Sequence, residues 1–300
     1  MTGRGPVAAS PLSRLYQGFF LAFALVFCMA ASGIVQAGNL EDGLALYEKG
    51  EHKKAFALVK KSADAGEAKG QAALASFYFN GIGTKASDKK AAAWYKKAAD
   101  QGLSIAQYNL GLMYDMGKGV KKDEAEAARL YELAARQKNT DAQVALGLMY
   151  MEGRGVEKNP SAAARQFLDA ALLKDRVAQY YVGWCSEQGF GLGKDDVVAL
   201  DWYKKSARQD YAPAMANIGA MYFAGRGVKQ DYAEALKWYR QAAEKGDVKS
   251  QAVLGLAYEK GLGVEADPDE AFAWYTKAAE QGHEDAKQIL ADLKKKQAAK

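Results

Sequence analysis

Six consecutive segments of this chain repeat with a period of 36 residues, and this regularity limits the possible folds more than any other feature. A period in this range, without a unique region as large as a domain, is typical of a solenoid. Each unit of a solenoid buries its apolar face only by stacking on its neighbours. The six copies begin at Gly70, Ala106, Ala142, Ala178, Ala214 and Ser250, and a truncated copy begins at Ala286.

Within each copy, the spacing of apolar residues predicts two helices. Counting each copy's start as position 0, Leu110, Gly111 and Tyr114 occupy positions 4, 5 and 8 in one copy, and most other copies have the same or similar residues there. Spacings of four and eight place side chains on one stripe of a helix. The recurring glycine suggests that a neighbouring helix passes too close for a Cβ atom, since a glycine inside a helix otherwise costs about 1 kcal/mol relative to alanine.

Both ends of the helices have sequence signals of their own. The first helix is followed by a Gly-x-Gly element, as in Gly117-Lys-Gly119, and glycine suits the left-handed position after a helix. Position 17 always holds a residue that favours the start of a helix. These N-cap candidates are Ser87, Asp123, Asn159, Asp195, Asp231 and Asp267.

The ends of the repeat array also follow the pattern. Residues 38–69 form a shortened copy, which we expect to cap the amino end of the stack. Residues 70–285 contain the six full copies, and residues 286–300 are predicted to form a capping helix with a basic tail. The sequence therefore predicts an all-α solenoid of paired helices.

The first 37 residues have a different composition and predict a secretory signal. Arg4 and Arg14 precede an apolar run that begins at Gly18, and Val35-Gln-Ala37 is a small-x-Ala site that a signal peptidase would accept. Cleavage after Ala37 would make the protein periplasmic or secreted. The alternative is an uncleaved anchor, because residues 18–35 are about long enough to span a bilayer. Contact with the inner membrane is expected only in that case.

Charge and residue usage argue against several classes of function. The chain has 41 Lys and Arg against 36 Asp and Glu, and the only basic cluster lies at the carboxyl terminus, so we expect no nucleic-acid partner. The two histidines, His52 and His283, are expected in solvated loops, and no convergent ligand set for a metal is visible. We therefore expect no metal, no cofactor and no enzyme. Cys185 falls in an apolar column and is expected to be a buried, inert thiol.

The repeated columns resemble those of the Sel-1-like repeat family, a branch of the tetratricopeptide-like α/α repeats. The resemblance rests on the pattern Ala-x-x-x-Leu-Gly-x-x-Tyr-x-x-Gly-x-Gly-Val, then Asp, then Ala-x-x-Trp-Tyr-x-x-Ala-Ala, and it covers nearly everything after residue 38. It implies a right-handed superhelix that serves as an adaptor for proteins or peptides, often in bacterial export, envelope or host-contact processes. It does not identify the partner.

An enzymatic role is the alternative that this resemblance leaves open. Some cysteine-rich relatives are associated with binding or hydrolysing β-lactams, and Ser87-Asp-Lys-Lys90 fits a Ser-x-x-Lys motif. The companion motifs and the paired cysteines are absent, however, and Ser87 is already explained as an N-cap. A cell-wall or β-lactam hydrolase is therefore the second hypothesis, after a binding scaffold.

The resemblance also implies where a partner would bind, since the first helices of such solenoids line a concave groove. Large apolar residues on a face that the core does not need point to partner binding. The alternative is that Leu112, Leu148 and Trp184 complete the packing between repeats. Asp115, Glu152 and Glu187 are expected to form a polar rim. The predicted partner-binding residues are Tyr108, Leu112, Met116, Leu148, Met151, Tyr180 and Trp184.

Overall fold

The computed structural model describes residues 38–298, and in this region it contains fifteen helices and no strand. The predicted all-α fold class is thus confirmed. The predicted signal segment, residues 1–37, lies outside the described residues, and the division of the chain into signal, caps and repeats stays a prediction. The helices are α1 Asn39–Glu48, α2 His52–Asp64, α3 Ala68–Asn80, α4 Asp88–Asp100, α5 Ser104–Met116, α6 Glu124–Arg136, α7 Thr140–Glu152, α8 Pro160–Leu172, α9 Arg176–Gln188, α10 Asp196–Ala207, α11 Ala212–Ala224, α12 Tyr232–Glu244, α13 Val248–Lys260, α14 Pro268–Glu280 and α15 Glu284–Ala298.

The second helix of each copy begins where its N-cap residue predicts. In α6, the Asp123 carboxylate accepts a hydrogen bond from the Glu126 backbone N–H at 3.0 Å. Asn159 accepts the corresponding bond from the Ala162 N–H at 3.0 Å. These side chains satisfy backbone donors that have no partner inside the helix. The predicted N-caps of the second helices are confirmed.

The Gly-x-Gly element ends the first helix and also packs on the preceding copy. Gly117 closes α5 with φ 68°, in the left-handed region. Gly119 has φ 71°, and a Cβ atom placed on it would lie 2.2 Å from the Asp88 carbonyl oxygen at the start of α4. The second glycine is therefore required by a close contact between copies. The sequence explains these glycines only by the left-handed position that follows a helix.

The glycine at position 5 marks the closest approach of the two helices within a copy. A Cβ atom on Gly111 would lie 2.7 Å from the Tyr131 ring, and one on Gly183 would lie 2.7 Å from the Tyr203 ring. The prediction of a passing neighbour is confirmed. Both tyrosines have no exposed surface, so each ring fills the space that the missing side chain leaves.

The chain divides into two compact units, with the boundary between Gln166 and Phe167. In the described part of the first unit, each helix from α1 to α7 packs against the next one along the chain. In the second unit the same holds from α9 to α15. Packing between sequential helices, repeated copy after copy, is the arrangement of a solenoid.

Glutamines connect the two ends of a copy in both units. The Gln137 side-chain amide donates to the Gln107 Oε1 atom at 2.9 Å and to the Gly102 carbonyl at 2.9 Å. Gln209 donates in the same way to Gln179 and to the Lys174 carbonyl. These bonds satisfy buried glutamine oxygens at the beginning of the first helix.

Candidate functional site

The structure contradicts the exposed position predicted for three residues of the first unit. Tyr108, Leu112 and Leu148 are only 7%, 1% and 0% exposed. Leu112 lies in the same apolar cluster as Tyr131 and as Leu146 of the next copy. Positions 2 and 6 therefore serve the packing between copies here, which is the alternative that the sequence left open.

Met116 and Met151 are the predicted residues of the first unit that keep accessible surface. Both are half-buried, and Met116 packs against the edge of the cluster that contains Tyr108 and Leu112. Methionine adapts its shape easily to a contacting surface. These two side chains can contact a partner, whereas the leucines beside them cannot.

In the second unit, Tyr180 and Trp184 of α9 belong to a dense group of aromatic rings. Tyr180 lies 5.5 Å from Tyr211 and 5.7 Å from Tyr203, measured between ring centroids. Trp184 lies 5.4 Å from Phe190. Both predicted residues are partly exposed at the edge of an apolar cluster. Of the seven predicted residues, this pair gives the largest accessible aromatic surface.

Trp184 differs from the other tryptophans in what its indole contacts. Lys97, Lys205 and Lys277 place their ammonium groups 3.7–4.0 Å from the ring centroids of Trp94, Trp202 and Trp274, and the Trp238 N–H donates to Glu234 at 3.1 Å. Within residues 38–298, the Trp184 N–H donates no hydrogen bond and no Lys or Arg lies over its ring; its aromatic neighbour is Phe190. The Trp184 side chain is partly exposed, and its N–H has no acceptor among the described residues, while its ring packs against Phe190 and an apolar cluster.

All three residues of the predicted acidic rim form ion pairs with arginine. The side chain of Asp115 is 1% exposed and accepts from Arg154 Nη1 at 2.7 Å. Glu152 accepts from Arg154 Nε at 2.6 Å. Glu187 pairs with Arg226 and also accepts from the Tyr203 hydroxyl at 2.6 Å. The prediction that Asp115 and Glu187 rim an open groove is wrong, because an arginine of the following copy covers each of them.

These contacts raise the pKa of two of the groups. Burial lowers the pKa of the Arg154 guanidinium, but the hydrogen bonds and charges of Asp115 and Glu152 outweigh that effect and raise the pKa above its ordinary value. Burial, together with the hydrogen bond to Glu187, raises the pKa of the Tyr203 hydroxyl. Arg154 and Tyr203 therefore keep their protons at physiological pH.

The residues considered for catalysis have structural roles. The Ser87 hydroxyl accepts from the Lys90 backbone N–H at 3.4 Å, while the Lys90 ammonium lies 5.1 Å from the Tyr78 ring centroid. Cys185 is fully buried, as predicted, and burial raises the pKa of its thiol to about 12, so it is not a reactive thiolate at neutral pH. His283 lies in the loop before α15, as predicted, and its ring accepts from the Ala286 N–H. His52 is exposed, but its predicted loop position is wrong, because it is the first residue of α2.

The described residues contain neither a candidate metal site nor a helix that could span a membrane. Between residues 38 and 298, no three His, Cys, Asp or Glu side chains are grouped in a way that could hold a metal ion. In the same region no helix combines the length and apolar character needed to cross a membrane. The candidate anchor at residues 18–35 lies outside the described residues.

Arg154 and Arg226 were not predicted from the sequence, although the signal for them was present. Each arginine stands between the glycines of a Gly-x-Gly element and lies 39 residues after its carboxylate partner. Six well-exposed apolar side chains of the described second unit were also not predicted. Comparing each copy with the others at the same position would have found most of them, because they replace polar residues there. They are Leu172, Leu173, Val197, Val198, Tyr232 and Leu256.

A family model with the description Sel1 repeat matches the chain seven times. The matched residues are 33–67, 68–103, 104–139, 140–173, 176–211, 212–247 and 248–283. None of the curated proteins matches the chain.

Solved structures of Sel1-type proteins are similar to this chain. The antigen c5321 is a protective antigen present in uropathogenic Escherichia coli strains and displays an SLR fold. It is 34% identical with a TM-score of 0.77, over 85% of this chain and 56% of that one. This chain thus spans little more than half of c5321. A Sel1 repeat protein from Oxalobacter formigenes is 31% identical with a TM-score of 0.75, over 81% of this chain and 97% of that one.

Proposed function

Because this chain belongs to the Sel1 repeat family, we propose that it is a non-enzymatic scaffold that binds a protein or peptide partner. The proposal places the main contact at Tyr180 and Trp184 in the second unit. Met116 and Met151 are proposed as partner contacts in the first unit. Tyr108, Leu112 and Leu148 are excluded from the proposed site, because they are buried.

One observation supports this assignment: Trp184 is partly exposed and its indole N–H has no acceptor within the described part of the chain. Tryptophan and tyrosine supply a large share of binding energy at protein interfaces. An indole N–H can donate to a peptide carbonyl while the ring packs against an apolar side chain. An extended peptide offers both groups.

The experiment begins by identifying the partner and then measures its affinity. Tagged protein is cross-linked in its native host, and the captured proteins are identified by mass spectrometry. For the captured partner, Trp184→Ala is expected to cost about 2 kcal/mol or more, roughly a 30-fold rise in Kd. Trp184→Phe keeps the apolar ring and removes the N–H, so an intermediate loss is expected.

Trp202→Ala is the matched control, because Trp202 is also partly buried but has Lys205 over its ring. Its affinity for the partner should equal that of the parent protein. If Trp184→Ala and Tyr180→Ala melt like the parent and bind as tightly, the proposed site is wrong. Melting temperatures separate loss of binding from loss of folding.

We also propose that the protein is exported. The cationic start, the apolar run and the Val35-Gln-Ala37 site support this location, and the description of c5321 as a protective antigen agrees with it. Amino-terminal sequencing of protein from the native host should find Gly38 as the first residue. A chain that still begins at Met1 and fractionates with the membrane would support the anchored alternative instead.

A further inference from the structure

Two positions contact each other at three of the four junctions between full copies within a unit. The first is position 9, in the last turn of a first helix. The second is position 12 of the following copy, the residue between the glycines of Gly-x-Gly. The two positions are 39 residues apart in the sequence. Their side chains are chemically complementary, although the residues themselves change from copy to copy.

Two of these contacts are ion pairs. Arg154 donates to Asp115 at 2.7 Å in the first unit, and Arg226 pairs with Glu187 in the second. The carboxylates are the deeply buried members, with side chains 1% and 9% exposed, whereas Arg154 and Arg226 are 24% and 40% exposed. A carboxylate at this depth is strongly destabilising without a cation beside it.

At the other two junctions between full copies, position 9 holds no carboxylate. The Lys118 ammonium lies 5.2 Å from the ring centroid of Phe79, a cation–π contact. Phe223 and Leu262 pack against the same apolar cluster. At these four junctions between full copies, a carboxylate at position 9 is followed by arginine at position 12, and a phenylalanine is followed by lysine or leucine.

We propose that positions 9 and 12 form a pairing code that selects which copy packs against which. The copies otherwise present nearly the same surfaces, so a copy could pack against the wrong neighbour or against a second molecule, which is a known failure of repeat proteins. A wrong pairing with a copy that has Ile82, Phe190 or Leu262 at position 12 places Asp115 or Glu187 against a residue without a positive charge. The resulting buried, unpaired carboxylate disfavours the misassembled state.

The test transfers the pair Phe223–Leu262 to the positions of Asp115 and Arg154. Arg154→Leu alone creates a mismatch, and its melting temperature is expected to fall by roughly 5–10 °C. Adding Asp115→Phe to Arg154→Leu restores a matched pair and is expected to recover at least half of that loss. Asp115→Phe alone leaves a phenylalanine opposite arginine, similar to Phe79 and Lys118, and should be milder than Arg154→Leu.

The control is the exposed ion pair Lys96–Asp100, whose side chains are both 62% exposed. Lys96→Leu with Asp100→Phe should change the melting temperature by less than roughly 2 °C. The code is overturned if the double variant at 115 and 154 melts no higher than Arg154→Leu. The code is also overturned if the double variant fails to fold, because the code predicts that a phenylalanine paired with a leucine is sufficient for these two copies to pack.

Discussion

At the scale of single residues, the two helices of a copy are held together by a large ring placed against a missing side chain. The Tyr131 ring occupies the space beside Gly111, and the Ala127 carbonyl oxygen would lie 3.3 Å from a Cβ atom placed on that glycine. A side chain there would therefore meet both the ring and the backbone of α6. Close-packed interiors tolerate added volume poorly. The glycine and the tyrosine thus act as one packing unit.

We expect Gly111→Val to destabilise the protein by about 2–3 kcal/mol, because its side chain would overlap the buried Tyr131 ring. Urea denaturation followed by circular dichroism measures the change. Gly193→Val is the control, since no atom lies within 4 Å of a Cβ atom there. Equal stabilities of the two variants would contradict the close approach.

The sequence could predict contacts within a copy better than contacts between copies. The N-cap at Asp123 and the close approach at Gly111 depend on residues a few positions away or on one helix pair, and both were predicted correctly. The burial of Leu112 and Leu148 and the ion pair of Asp115 depend on how closely the next copy approaches. A column of leucines looks the same whether it faces solvent or a neighbour, so this part of the candidate site required the structure.

At the scale of helices, each element has its own start and stop. Asp123 begins α6 by accepting a backbone hydrogen bond, and Gly117, with φ 68°, ends α5. These signals are local, and they recur in every full copy. Helix boundaries thus depend little on the rest of the chain, although each copy needs its neighbours to bury its apolar face.

Asp123→Ala is expected to cost about 1 kcal/mol, because the Glu126 N–H loses its acceptor at 3.0 Å. Asp123→Asn should retain most of the stability, since Asn159 performs the same function in another copy. Chemical denaturation of both variants measures the difference. If the Asn variant were as unstable as the Ala variant, capping would not be the cause.

At the scale of the whole chain, stability is expected to vary along the second unit. Each helix from α10 to α14 packs against the helix before it and the helix after it, whereas α15, among the described helices, packs against α14. Repeat arrays behave as sums of units and nearest-neighbour contacts. Within the described residues, α15 therefore has one packed neighbour fewer than a helix in the middle of the unit, such as α12.

Hydrogen exchange should reveal this gradient. Backbone amides of α15 are expected to exchange at least roughly tenfold faster than those of α12, since local opening of α15 breaks fewer contacts. Mass spectrometry of peptides from Tyr232–Glu244 and Glu284–Ala298 provides the comparison. Equal protection of both helices would indicate that the unit unfolds as a single block.

Glycines with positive φ lie in two kinds of turn: the Gly-x-Gly loop between the two helices of a copy, and the turn after the second helix. These turns differ in how many inserted residues they can accommodate. A Cβ atom on Gly227 would lie 2.4 Å from the Asp196 carbonyl, whereas nothing lies within 4 Å of one on Gly246. Inserted residues, such as a peptide tag or a fluorescent domain, should therefore be accepted after Gly246 and rejected after Gly227. In the shortened copy, only three residues join α1 to α2 in place of the crowded loop, so the constant period of 36 residues belongs to the copies that keep this loop.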